Sequence, residues 1–233
     1  DEILNYMHEV VEEDGLAKRI YFHHKVISAD FDSATAKWTA TLERDGKQWQ
    51  VTADWLFGAT GYYDYAAGHR PHFDGEEDFE GTIVHPQFWP EDLDYKNKDV
   101  VVIGSGATAV TLIPAMADDT AHITMLQRSP TYVMPLPKRD PVANGLNKVL
   151  PEKLAYKINR GLNKGRQRFI YNLGQNQPKI ARRIIRFFNE QALPKGYDID
   201  THFNPTYKPW DQRLCAVPDN DLFKAISKGK ASV

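Results

Sequence analysis

Residues 79–109 read FEGTIVHPQFWPEDLDYKNKDVVVIGSGATA, and the second half of that stretch decides the fold. Residues 100–103 are an apolar, β-branched run of the kind that forms a buried strand. They lead directly into Gly104-Ser105-Gly106-Ala107-Thr108-Ala109, a G-x-G-x-x-A turn at the head of a helix-like segment, 107–117. In a dinucleotide site the first glycine of such a turn permits the tight bend, and the second brings backbone amides against a pyrophosphate. The small third residue lets the helix pack on the strand. The helix N-terminus then faces the anion. A second apolar strand, His122–Leu126, follows at the spacing of a βαβ unit. The glycine pattern alone also fits an ordinary buried strand and turn; the strand, helix and strand around it favour the nucleotide.

Where that second strand ends, NAD sites usually carry Asp or Glu for the ribose hydroxyls, but here the residues are Gln127-Arg128-Ser129. An arginine at this place favours NADPH, because it meets the adenosine 2′-phosphate with a charge-assisted, bidentate contact. The plainer account of Arg128 is a solvated surface charge.

The first half of the stretch, Phe79-x-Gly81-x-x-x-His85-x-x-x-Trp89-Pro90, resembles the F-x-G-x-x-x-H-x-x-x-W-P fingerprint of the Baeyer–Villiger monooxygenases, the class B flavoproteins, at every fixed position. The resemblance continues through Ala59-Thr60-Gly61-Tyr62-Tyr63, HPQFWPEDLDY, VVIGSGATAV, TMLQRSPTY and Trp210-Asp211-Gln212-Arg213-Leu214-Cys215. It extends over essentially the whole chain and is closest to the ethionamide-activating branch of that family.

The resemblance implies an α/β fold: a Rossmann-like NADPH-binding domain with a helical insertion, plus the C-proximal β-meander part of a FAD-binding domain. Residues 1–61 are then the partial FAD domain, ending in its A-T-G exit, and 62–97 an interdomain linker that carries the fingerprint. Residues 98–137 and 194–233 make the NADPH domain around a basic helical insertion, 138–193. A flavoprotein of this class has its own G-x-G-x-x-G ahead of this region, and none precedes Gly104, so an internal fragment of a longer enzyme is expected.

The implied chemistry uses FAD, NADPH and dioxygen. NADPH reduces the flavin, and a peroxyflavin then inserts one oxygen atom into a ketone or oxygenates the sulfur of a thio-compound. The family places an arginine, here Arg213, at the flavin, where its five fixed donors suit a developing negative charge. A structural ion pair with Asp211 is the simpler role for it. Many relatives have lysine before that arginine; this chain has Gln212, which leaves Arg128 and Ser129 to carry the selectivity for NADPH. Val26, Thr60 and Gly61 correspond to positions that meet FAD. Phe79, Gly81, His85, Trp89 and Pro90 couple domain movement to cofactor binding, with His85 in a hydrogen-bonding and packing role rather than transferring protons.

Composition sets further bounds. With 42% hydrophobic and 12% aromatic residues among 233, the chain can build a real core. A formal charge of −2 excludes whole-molecule attraction to nucleic acid. A single cysteine, Cys215, cannot form an internal disulfide and fits a reducing, cytoplasmic setting. No apolar run approaches the ~20 residues of a membrane span.

Ile3, Leu4, Met7, Val10 and Val11 fall at helical spacing, closed by Gly15. Strands are predicted at 20–29, 37–42, 49–53 and 55–57, with Asp45-Gly46 as a hairpin turn. His23-His24 would then point to opposite faces of a strand, and no metal site is expected. Residues 152–190 hold ten Lys or Arg against Glu152 and Glu190 alone, with Ile180, Ile184, Phe187 and Phe188 on one helical face. Such helices pack on a nucleotide domain with solvated basic outer faces, or lie on an anionic membrane surface. Two other functions therefore stand beside the monooxygenase: a two-dinucleotide-domain reductase, which needs a redox cysteine pair, and a non-enzymatic membrane-surface module.

Overall fold

The computed structural model describes residues 2–233. Contacts divide the chain into two compact units, Asp1–His72 and Phe73–Val233, and the division falls inside the stretch expected to be a linker.

The first unit holds helix α1 (Glu2–Glu13) and an antiparallel meander of β1 (Lys25–Asp32), β2 (Lys37–Arg44) and β3 (Lys47–Ala53) in the order β1-β2-β3. Gly15 closes α1 at φ 60°, in the left-handed region that glycine enters at no steric cost. Asp45 and Gly46 turn the second hairpin with φ 51° and 73°. Two consecutive positive φ values are the mark of a type I′ turn, whose twist matches that of the strands it joins.

Two sequence expectations need correction in this unit. The first strand begins at Lys25 rather than 20, because His23 sits at φ 61° and cannot continue a ladder. His23-His24 is therefore a turn and not part of a strand. The His24 Nδ1 lies 2.6 Å from the Phe22 carbonyl oxygen, and its ring meets the Trp49 ring edge-on at 5.2 Å. No strand forms at 55–57 either. No strand pairs with that run among the described residues, and Trp55 and Phe57 are 79% and 80% exposed.

In the second unit β4 (Asp99–Ile103), α2 (Ala107–Met116) and β5 (His122–Leu126) form the βαβ unit, with β4 and β5 parallel and paired from Asp99↔His122 to Ile103↔Leu126. β6 (Tyr132–Leu136) follows, then the helices α3 (Pro141–Val149), α4 (Glu152–Asn176), α5 (Pro178–Ala192) and α6 (Ile199–Phe203). β7 (Leu214–Pro218) pairs in parallel with β6, α7 (Asp221–Ser227) packs back on α2, and β8 (Ala231–Ser232) joins β5. The helical stretch is thus inserted between two strands that lie side by side.

One core unites this unit. Val110, Ile113 and Met116 of α2 pack with Ile123 and Met125 of β5, Val133 of β6, Val217 of β7 and Phe223 of α7. The insertion is anchored differently from the sequence pattern. Its buried seam on α5 is Ala181, Ile185 and Asn189, one residue per turn, while Ile180, Ile184, Phe187 and Phe188 stay 40–55% exposed. The small side chain at Ala181 permits close approach of α5 to its neighbours, while Asn189 is fully buried in the same seam.

Candidate dinucleotide site

The turn between β4 and α2 has the geometry that its glycines predict. Gly104 lies at φ 135°, a conformation that side chains rarely tolerate, and its N–H donates to the Leu126 carbonyl at 2.8 Å, tying the turn to the end of β5. Gly106 is the N-cap of α2 and brings no capping side chain. The first amides of an α-helix have no intrahelical acceptor, so this helix start offers donors and a positive dipole end to an anion. Ala109 is buried against the strands, as the small third position requires, while Ala107 and Thr108 remain exposed.

Two side chains from distant parts of the chain, Thr131 and Arg213, converge on Ser105 of this turn. The Ser105 hydroxyl, 2% exposed, shares a hydrogen bond of 2.8 Å with the Thr131 hydroxyl just before β6. Arg213, just before β7, donates through Nε to Thr131 Oγ1 at 3.2 Å and through Nη2 to Ser105 Oγ at 3.4 Å. Its guanidinium is the close neighbour of Gly106, with Nη1 4.0 Å from where a β-carbon would stand. The outcome is a cation fixed beside a helix start that carries no capping side chain. Asp211, proposed as an ion-pair partner for Arg213, instead accepts from Gln175 Nε2 at 3.1 Å.

Beneath Arg213 the Cys215 thiol is buried and donates to the Ser105 carbonyl at 3.6 Å. Burial pushes its pKa up, against a smaller downward pull from Arg213. Cys215 is the one cysteine of the sequence, whereas a disulfide reductase needs a redox pair.

At the end of β5 the three residues diverge. Gln127 turns inward and donates through Nε2 to the His202 carbonyl of α6 at 2.7 Å, whereas Arg128 and Ser129 are exposed. The fingerprint residues sit ahead of β4. The ring of Phe79 folds over Gly81, leaving no room there for a β-carbon unless the ring swings aside. His85 accepts from the Gln87 N–H at 3.3 Å and caps the short 3-10 turn Pro86–Phe88, which Trp89 and Pro90 follow. The Trp89 ring meets Tyr95 edge-on at 6.1 Å, and Tyr95 packs against the core. Val26, Thr60 and Gly61 are exposed in the first unit, with Gly61 at φ 68°. No group of three potential metal ligands occurs among the described residues, and no helix there is long and apolar enough to cross a membrane.

Thr131 and Tyr207 escaped the reading of the sequence. Tyr207 donates through its hydroxyl to the Arg213 carbonyl at 2.9 Å, and Tyr132 in turn donates to the Tyr207 carbonyl at 2.8 Å. The only local signal was Thr131 lying three residues past Arg128 in the resembling segment.

Residues 1–172 match the model of the FMO-like family, the flavin-binding monooxygenase-like proteins. The chain belongs to that family. Among its flavin-binding monooxygenase-like relatives, the FAD-containing monooxygenase EthA of Mycobacterium tuberculosis is 50% identical over 99% of the chain. The probable FAD-binding monooxygenase AlmA of Acinetobacter baylyi is also 50% identical over 99%. In each case the chain spans 47% of the relative's length. Cyclohexanone monooxygenase from Rhodococcus sp. Phi1 bound to NADP+ superposes on the whole chain with a TM-score of 0.68 at 20% identity, using 49% of its own length. OTEMO in complex with FAD and NADP gives 0.72 at 20% identity over 100% of the chain and 50% of its own. At that identity the likeness establishes a shared fold.

Proposed function

We propose that this chain supplies the NADPH-binding part, and a share of the FAD-binding part, of a flavin- and NADPH-dependent monooxygenase that transfers one oxygen atom from dioxygen to a ketone or to sulfur. The observation that carries this reading is Arg213: a guanidinium held 3.2 Å from Thr131 and 3.4 Å from Ser105, beside the uncapped start of α2.

The donor set fits a dinucleotide. The N-terminal amides of α2 and the bare backbone of Gly104 and Gly106 would hold the pyrophosphate. Arg128 and Ser129 would hold the 2′-phosphate, being exposed where β5 ends. In the first unit the exposed Val26, Thr60 and Gly61 are accessible for contact with FAD. When bound, the two cofactors supply hydride transfer and the activation of dioxygen. The chain's own contribution is charge and position: an arginine keeps its proton throughout and presents fixed donors where negative charge develops. The residues of the fingerprint, 79–90, couple cofactor binding to movement between domains.

Because the chain spans 47% of its relatives' length, the test supplies the full-length enzyme that contains it with FAD, NADPH and isotopically labelled dioxygen, with a cyclic ketone in one reaction and a thioether in another. One labelled oxygen atom in the lactone or the sulfoxide supports the proposal. NADPH oxidation that yields only hydrogen peroxide in both reactions would overturn it.

A further inference from the structure

We propose that Tyr207 is a positioning residue for Arg213, and that helices α4 and α5 exert their hold on the nucleotide turn through the segment 205–213. The assignment rests on the dinucleotide reading of Gly104–Ala109.

Arg213 ends a stretch of irregular backbone that nothing in local propensity would order. Its conformation is imposed from the helices at successive points. Arg182 of α5 donates to the Pro205 carbonyl. Gln175 of α4 donates through Nε2 to both the Pro209 carbonyl, at 3.2 Å, and Asp211 Oδ1, at 3.1 Å. Between these contacts Lys208–Asp211 closes a turn, with the Asp211 N–H donating to the Lys208 carbonyl at 3.1 Å. Trp210 within it is held at φ 74°. A bulky residue in the left-handed region persists only where its surroundings over-determine it.

The last link is the tyrosine pair. Tyr132, 1% exposed, donates to the Tyr207 carbonyl at 2.8 Å. The two rings meet edge-on at 5.2 Å. Tyr207 then donates to the Arg213 carbonyl at 2.9 Å, which fixes the backbone from which the guanidinium reaches Thr131 and Ser105. A free arginine side chain loses rotamer entropy when it engages an anion, and a braced one loses less. The Tyr207 hydroxyl donates to the Arg213 carbonyl, and among the described residues to neither Ser105 nor the turn, so the effect of losing that hydroxyl passes through Arg213.

The experiment is a double-mutant cycle on NADP+ affinity, read by calorimetry with the full protein, using wild type, Tyr207→Phe, Arg213→Ala and the double variant. Tyr207→Phe keeps the ring and removes one hydroxyl. Affinity is expected to fall about five-fold, the factor that one neutral hydrogen bond carries, and Tyr207→Phe is expected to change nothing further once Arg213 is alanine. Unchanged affinity in the single variant, or an equal loss in both backgrounds, would overturn the proposal. A wild-type protein that binds no NADP+ would overturn the dinucleotide reading together with it. Should thermal unfolding show that Tyr207→Phe does not fold, the same cycle with Gln175→Ala decides, with a loss of about two-fold expected only when Arg213 is present.

Discussion

Gly174 of α4 lies directly against Trp210, and a β-carbon on Gly174 would stand 2.9 Å from Trp210 Cδ1 and 3.2 Å from the Pro209 carbonyl oxygen. Its backbone is ordinary helix, so contact and not conformation calls for glycine at this place. Alanine would raise helix propensity by about 1 kcal/mol, while forced overpacking costs about 1–3 kcal/mol. The second effect wins. Gly174→Ala is therefore expected to destabilise the protein by about 1 kcal/mol in denaturant unfolding, and to do so less in a Trp210→Ala background. A stabilised Gly174→Ala protein would show that the helix and the 205–213 segment are not in contact.

In the full-length enzyme, Arg213→Ala is expected to lower NADPH-driven product formation by about 10²- to 10³-fold, the range for losing one preorganised donor at developing negative charge. Stability should change by less than about 1 kcal/mol, because Arg213 is exposed and lies outside the core. Near-normal turnover in the variant would remove Arg213 from the chemistry.

What was legible in the sequence was local. The β4–α2–β5 unit follows from an apolar run, a glycine turn and a helical period within 30 residues, and the Asp45-Gly46 hairpin from two adjacent residues suited to positive φ. What escaped was set by contacts between distant positions. Thr131 meets Arg213 across 82 residues of chain, and no spacing rule links a threonine after one strand to an arginine before another. The seam of α5 was missed for a different reason. Hydrophobic periodicity points to the largest apolar side chains, while the seam that is buried holds the small Ala181 and a polar residue, Asn189. The run 55–57 has strand composition, but a strand is made by its partner.

Arg128→Ala is expected to narrow the preference for NADPH over NADH, measured as the ratio of the two kcat/KM values, by about tenfold. The effect should fall on NADPH alone, because NADH has no 2′-phosphate for the guanidinium to meet. With Gln212 in place of a lysine and the Gln127 side chain committed to His202, Arg128 is the exposed cation at the end of β5. An unchanged ratio would mean that the phosphate is read by another group.

Asp140 gives the helical insertion a dependence on pH whose sign is set by its capping bonds. It is the N-cap of α3, with Oδ1 accepting from the Ala143 N–H at 3.2 Å and the Val142 N–H at 2.9 Å, and Arg166 stands 3.5 Å from Oδ2. These bonds, that from Ala143 foremost, hold its carboxyl below the usual aspartate range. A carboxyl whose folded pKa is depressed contributes stability at every pH above its unfolded value, about 3.9, and loses it as pH falls through the folded value. The unfolding midpoint of Asp140→Ala should therefore lie below that of the wild type by a constant margin from neutral pH down to about 4. Below that the margin should narrow, as the wild-type cap protonates and loses the charge that strengthens its capping bonds. A margin that persists undiminished at the lowest pH would show that Asp140 acts by shape and not by charge.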